Sequence, residues 1–209
     1  MKFYNFELGS MGVNAYLIFP KDSNEAILID APEGAGDAIP KFLEKHDRKL
    51  SAILLTHGHF DHVWDCAELK DKTGAQIYAH AETKPFVEVE GAQSYFGFGD
   101  MRSFAIDKFL VDGQILKFSD LELECLYAPG HCAGSMMFYS KDKKKLFVGD
   151  VIFCNSIGRH DLPTGSFGVL QKSIRTKIYT LPDDVEIFPG HGPETSVGGE
   201  KSSNPFVTA

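Results

Sequence analysis

The sequence contains no apolar run approaching the ~20 residues that span a bilayer, and its first seven residues, Met1-Lys2-Phe3-Tyr4-Asn5-Phe6-Glu7, lack the unbroken apolar core of a secretory signal. Both absences predict a cytoplasmic protein with no membrane partner. Cysteine is scarce: Cys66, Cys125, Cys132 and Cys154 form no CxxC pair, and nothing in their spacing implies an oxidising compartment. Basic charge is in deficit, with 21 Lys and Arg against 29 Asp and Glu for a net charge of −8. That balance runs opposite to the basic footprint of nucleic-acid binders, so no nucleic-acid partner is expected. The densest basic cluster, Lys141 to Lys145, is broken by Asp142 between two apolar runs and reads as a solvated hairpin turn. Gly-x-Ser-x-Gly is also missing, which disfavours a serine hydrolase.

What the chain does have is length for a sizeable core: 209 residues, 43% of them hydrophobic, predict one domain over 1–209. Short apolar runs alternate with helical patterns. Strands are expected at 13–19, 26–29, 51–55, 76–79, 114–118, 121–127, 135–139, 145–148 and 185–188. Helices are expected at 36–46, at 63–72 with Gly74 as the stop, and as one long helix at 167–179. This order fits an α/β protein of two similar halves, each pairing a mostly antiparallel sheet with outer helices.

Residues 83–109 stand apart as a possible insert, with Phe86, Tyr95, Phe96, Phe98, Phe104 and Phe109 interleaved with Gly91, Gly97 and Gly99. Two readings compete. The rings complete the core from a peripheral helix, or they wall a substrate pocket as a hinged flap. The second reading makes Phe96 and Phe98 candidate substrate contacts.

The chemistry concentrates in Thr56-His57-Gly58-His59-Phe60-Asp61-His62, where four potential metal ligands fall within six positions directly after a strand. Imidazole with carboxylate suits zinc, iron or manganese, and the lack of cysteine argues against a purely structural zinc site. The alternative is a set of ordinary surface histidines, which the packing of three of the eight histidines into this stretch disfavours. His131 in Ala128-Pro129-Gly130-His131, Asp150 in Phe147-Val148-Gly149-Asp150 and His191 in Phe188-Pro189-Gly190-His191 each follow a strand too. Strand ends gather at a sheet edge, so ligands distant in sequence can converge there.

This combination of HxHxDH with His131, Asp150 and His191 resembles the metallo-β-lactamase superfamily. The resemblance implies a four-layer αβ/βα sandwich and two divalent metal ions, with zinc favoured and iron or manganese the alternatives. It implies that one metal takes His57, His59 and His131, that the other takes Asp61, His62 and His191, and that Asp150 bridges them. Asp30, in Leu28-Ile29-Asp30, matches an acidic residue that supports the ligands from behind, or is simply a turn residue before Pro32. Within the superfamily the chain is most similar to short hydroxyacylglutathione hydrolases (glyoxalase II), through Ser156-Ile157-Gly158-Arg159-His160-Asp161-Leu162-Pro163, Gly190-His191-Gly192-Pro193-Glu194-Thr195 and Asn204-Pro205-Phe206. Unlike the larger enzymes it is expected to have no C-terminal helical domain, and it has Cys132 where Thr is common.

The implied activity is hydrolysis of a small-molecule thioester such as S-lactoylglutathione. A metal-activated hydroxide would be the nucleophile, with Asp61 and Asp150 holding the catalytic metals. Arg159 is a candidate for gripping a substrate carboxylate, or else pairs with Asp161 to shape its loop. Cys132 reads as a small buried residue behind the ligands, or as a reactive thiol. The rival activity on this scaffold is a mononuclear-iron persulfide dioxygenase. A lactonase and a nucleic-acid-processing nuclease stand further off, and a secreted β-lactamase is disfavoured by Asp at 150 and His62 after Asp61.

Overall fold

Seven consecutive buried residues form the strand Val13–Phe19, and this unbroken burial marks it as interior to its sheet. The computed structural model describes residues 2–98 and 100–208, with the side chain of Tyr95 also excluded; Gly99 and the Tyr95 ring of the aromatic segment thus lie outside the described residues. The chain divides into two compact units, Met1–Leu110 with Lys117–Leu121, and Val111–Leu116 with Glu122–Ala209.

The first unit carries a six-stranded sheet in sequential order. Its strands are β1 (Lys2–Leu8), β2 (Val13–Phe19), β3 (Glu25–Ile29), β4 (Lys49–Leu54), β5 (Gln76–His80) and β6 (Lys108–Leu110). β1, β2 and β3 pair antiparallel, whereas β3 to β6 pair parallel, so this sheet is mixed rather than mostly antiparallel. The reason is the crossovers: helix α1 (Ala35–Lys45) links β3 to β4, and α2 (Phe60–Val63) with α3 (Cys66–Thr73) links β4 to β5. Helix α1 buries Ile39 and Leu43, and α3 buries Cys66, Ala67 and Leu69, against a core that includes Leu28, Ile53 and Ile77. Gly74 ends α3 at φ 72°, the left-handed conformation glycine adopts without strain. The expected single helix over 63–72 is in fact broken at Trp64-Asp65, because the Asp65 carboxylate accepts the Gly36 N–H at 2.8 Å and anchors the junction to α1.

The other six-stranded sheet, most of whose residues belong to the second unit, has the order β14-β13-β10-β9-β8-β7. These strands are β7 (Ile115–Phe118), β8 (Leu121–Tyr127), β9 (Met136–Ser140), β10 (Lys145–Gly149), β13 (Glu186–Pro189) and β14 (Thr195–Ser196), and a small hairpin of β11 (Ile152–Phe153) and β12 (Ser156–Ile157) follows β10. β8–β9–β10 is antiparallel and β10–β13 parallel. The four residues of the Lys141–Lys144 turn joining β9 to β10 are all exposed, as a solvated hairpin requires. Leu146, Val148, Leu170, Ile174, Ile178 and Ile187 contribute to this unit's core. The expected long helix starts as α5 (Phe167–Ser173) but widens into a π-helical turn at Ile174–Ile178. That turn sets the buried Tyr179 hydroxyl 2.8 Å from the Val207 carbonyl and 3.2 Å from that of Glu200. A short helix after β14, α6 (Val197–Ser203), was not anticipated from sequence. No helix among the described residues is long and apolar enough to cross a membrane.

Residues 83–109 divide between the core and the histidine loop. After a turn at Ala81–Thr83, α4 (Lys84–Val87) and a 3₁₀ turn at Ala92–Phe96 are followed by irregular chain. Met101, Phe104 and Ile106 join the core of the first unit, while Phe96 and Phe98 face the histidine loop.

Candidate metal centre

In the first unit, parallel pairing sets Ile29 beside Leu54, so Asp30 and Thr56-His57 leave the sheet at the same edge. Asp30 is buried and sits at φ 59°, a left-handed conformation unusual outside glycine. Three hydrogen bonds hold it there. Its Oδ1 accepts the Thr56 N–H at 2.8 Å, and its Oδ2 accepts the Thr56 hydroxyl at 2.6 Å and the His62 Nδ1–H at 2.7 Å.

These contacts fix the imidazole tautomers. A carboxylate with three such partners acts as acceptor, so His62 carries its proton on Nδ1. The Thr56 hydroxyl spends its hydrogen on Asp30, so its oxygen accepts from His57 Nδ1, 3.0 Å away. Both rings therefore offer Nε2 as the lone-pair nitrogen. Asp30, His57 and His62 lie close enough to share an ion. Both Asp30 oxygens also accept hydrogen bonds from Thr56 or His62, so the carboxylate holds this loop in orientation. The rings crowd together: His57 and His59 are 4.8 Å apart between centroids, His57 and His62 4.1 Å. Asp61 Oδ2 stands 3.9 Å from His62 Nε2.

The second unit repeats this plan. Gly149 pairs with Pro189 in parallel register, so Asp150 and His191 emerge at one edge. His131 follows β8, which runs in the same direction as β10. The His131 Nδ1–H donates to the Arg159 carbonyl at 2.8 Å, which again makes Nε2 the lone-pair nitrogen. Asp150 Oδ2 lies 3.7 Å from His131 Nε2 and 3.6 Å from His191 Nε2. These separations exceed hydrogen-bond length but suit donors around a common ion, since two ligands about 2.1 Å from a tetrahedral metal lie ~3.4 Å apart. Imidazole and carboxylate donors with this spacing fit a divalent metal.

The Gly158-Arg159 loop gains its physical meaning here. A Cβ on Gly158 would meet the Asp150 carbonyl oxygen at 1.8 Å and His131 Nδ1 at 3.2 Å, so only glycine lets the loop close over both residues. The Arg159 side chain forms a bidentate pair with Asp161, Nε and Nη2 each 3.0 Å from a carboxylate oxygen. That guanidinium holds the Asp161 carboxyl down at about 2. The Arg159–Asp161 pair is thus present, and the Arg159 backbone carbonyl accepts from the ring of His131. Cys132 is buried with its thiol 3.3 Å from the Ala133 carbonyl.

Several participants escaped sequence reasoning. Thr56 and the Arg159 carbonyl set tautomers. Gln93, buried, donates from Nε2 to the carbonyls of Gly58 at 2.9 Å and Phe86 at 2.8 Å, pinning the aromatic segment onto the His57–His59 loop. A Cβ on Gly58 would lie 2.7 Å from Phe86 Cβ, so this close approach also needs glycine. Phe96 stands edge-on to His59 at 5.3 Å, and Phe98 stacks on Phe60 at 3.9 Å. Farther out in the second unit, the buried Glu200 carboxylate accepts from Asn155 N–H at 3.2 Å, from Thr195 Oγ1 at 2.6 Å and from Asn204 Nδ2 at 2.7 Å. Asn204 also donates to the Ser156 carbonyl at 3.0 Å, which ties the Asn-Pro-Phe stretch to the hairpin leading into Gly158.

The superfamily's own sequence model matches residues 8–191. The chain is 38% identical over 199 residues to hydroxyacylglutathione hydrolase GloC of Haemophilus influenzae, covering 94% of this chain and 93% of that protein. Among solved structures it is similar to BLEG-1 B3 metallo-β-lactamase, at 34% identity, TM-score 0.91 and full coverage of both chains. It is also similar to TTHA1623 in a di-iron-bound form, at 30% identity and TM-score 0.85, covering 98% of this chain and all of that one. With its histidine-rich donor sets and fold matched over nearly their whole length, this chain is a metallo-hydrolase of the metallo-β-lactamase superfamily.

Proposed function

We propose that the protein hydrolyses a small-molecule thioester of the S-lactoylglutathione type, using two divalent metal ions, zinc in preference to iron or manganese. The proposed ligands are His57, His59 and His131 for one ion, Asp61, His62 and His191 for the other, and Asp150 for both. The observation that carries the reading is the likeness to the Haemophilus influenzae hydroxyacylglutathione hydrolase along nearly all of both chains. Support for two ions comes from the di-iron form of a 30% identical relative and from the number of donors present.

When bound, divalent metal supplies Lewis acidity, lowering the pKa of a water and polarising a carbonyl oxygen. The protein supplies the rest. Asp30 and Thr56 keep His57 and His62 in the ligating tautomer, and the Arg159 carbonyl does the same for His131. Phe86 and Phe96 pack against His59 and exclude water from that side. Overall, water adds to the thioester carbonyl and the C–S bond breaks. The departing thiolate takes one proton, leaving a thiol and a carboxylate with one further proton released to solvent. The reaction needs neither a membrane nor a nucleic acid, and the cytoplasm suits it.

A second reading, β-lactam hydrolysis, is favoured by the 34% identity to BLEG-1. Purified enzyme with its metals counted decides between them: S-lactoylglutathione turnover with negligible nitrocefin turnover supports the proposal, and the reverse overturns it. Oxygen uptake on glutathione persulfide with a single iron bound would replace hydrolysis by persulfide oxidation.

A further inference from the structure

A cavity of about 360 Å³ opens beside Asp61 within the first unit, a volume suited to a small ligand group. Its apolar surface comes from Met11, Val13, Phe60, Trp64 and Phe98. The three rings form a continuous wall: Phe98 stacks on Phe60 at 3.9 Å and meets Trp64 edge-on at 5.7 Å. Phe96, 5.8 Å from Phe60 and 5.3 Å from His59, continues the wall to the histidine loop. The cavity's charge has one sign. Glu33 and Asp100 line it together with Asp61, and among the described lining residues none is basic. The nearby Arg102 is turned to Asp71.

We infer that this cavity selects the acyl group of the thioester, accepting uncharged aromatic or branched acyl groups and rejecting those that carry a carboxylate. The inference rests on the thioesterase reading above. Aromatic side chains offer flat rings a large stacking surface at low entropic cost. Bound metal would offset Asp61, but Glu33 and Asp100 face no Lys or Arg among the described lining residues, and they add the repulsive element that specificity requires against an anionic acyl group. The carboxylates of a glutathione carrier are turned away for the same reason, which leaves the acyl end to fill the pocket.

The test holds the carrier constant and compares kcat/KM for S-phenylacetyl-, S-lactoyl- and S-adipoylglutathione on the metal-loaded enzyme. The phenylacetyl thioester should exceed the adipoyl thioester by about tenfold or more, the range over which an apolar pocket discriminates. Phe98→Ala should collapse the phenylacetyl-to-lactoyl ratio, and Glu33→Gln with Asp100→Asn should raise the adipoyl-to-lactoyl ratio several-fold. Equal kcat/KM for the three substrates, or ratios unmoved by both variants, overturns the inference. Trp64 is the sole tryptophan and so reports on the cavity directly. If no thioester is hydrolysed, a Trp64 fluorescence change with phenylacetamide but not adipate, lost in Phe98→Ala, would sustain the cavity's selectivity while the thioesterase reading falls. No response to phenylacetamide would overturn it.

Discussion

The His62 imidazole donates from Nδ1 to the Asp30 carboxylate across 2.7 Å, and neither group reaches solvent appreciably. This bond reaches from the end of β3 to the start of α2, and Thr56 extends it to His57. Asp30→Asn should preserve the volume but replace one acceptor oxygen by a donor, setting an N–H against His62 or Thr56. Partners of metal-binding histidines typically contribute 10–100-fold to metal affinity. Zinc affinity, measured by competition with a chromophoric chelator, should fall within about that range. Unchanged affinity would show that the ligands need no such support.

Gly158→Ala is expected to be among the most damaging single-methyl additions in the chain. Its Cβ cannot share space with the Asp150 carbonyl at 1.8 Å, so the loop must lift and carry the Arg159 carbonyl away from His131. A loss of about 1–3 kcal/mol in urea unfolding is expected from overpacking. Reduced metal content in the folded fraction should accompany it.

Asp161 provides a pH signature. Its carboxyl is held at about 2 by the hydrogen bonds from Arg159, below its ordinary 3.8. A depressed folded-state value favours the native state above the unfolded pKa, and this contribution disappears as pH falls from about 4 to about 2. Arg159→Ala should return the Asp161 titration, followed by carboxyl-carbon NMR, to the ordinary range. Metal content at neutral pH should persist, because the carbonyl that orients His131 belongs to the backbone. Loss of metal would show that the side-chain pair fixes the carbonyl's position.

Asn204→Ala removes one donor to the buried Glu200 carboxylate and the bond to the Ser156 carbonyl. Leaving buried polar atoms without partners costs about 1–3 kcal/mol each. A drop of that order in unfolding free energy is expected, larger than for the exposed Ser202→Ala. Equal effects would mean that the network adds little beyond ordinary surface contacts.

Chelation gives the broadest check. Removing divalent metal should abolish hydrolysis and lower Tm, and adding zinc back should restore both, since a ligand bound only by the native state stabilises it by mass action. Substituting His59 or Asp150 by Ala should abolish turnover. Full activity in either variant would refute the two-metal proposal.

Much of this architecture was written in short-range pattern. The seven-residue buried run of β2, the bounds of β8 and the Gly74 stop of α3 all follow from local periodicity and turn chemistry. The metal-binding loop announces itself because four donors crowd one turn. Other elements carry weak local signals. β1 is half-buried along an edge and interrupted by Lys2, Asn5 and Glu7, and α6 contains two glycines and is held by Glu200 rather than by helix propensity. The parallel pairing of β3 with β4 depends on where α1 packs, a long-range outcome that no window of sequence encodes. The Arg159 carbonyl and the Thr56 hydroxyl were hidden for a different reason. Every residue has a carbonyl, and threonine is common, so only the folded geometry singles them out.

The exposed Lys141–Lys144 turn sits at the end of β10 opposite Asp150, five strand residues away and therefore roughly 16 Å distant. Chain can be opened, lengthened or chemically derivatised there without entering the core. The enzyme thus carries its own attachment point. Immobilised through those amines, it would leave the metal-binding edge of that sheet facing away from the support.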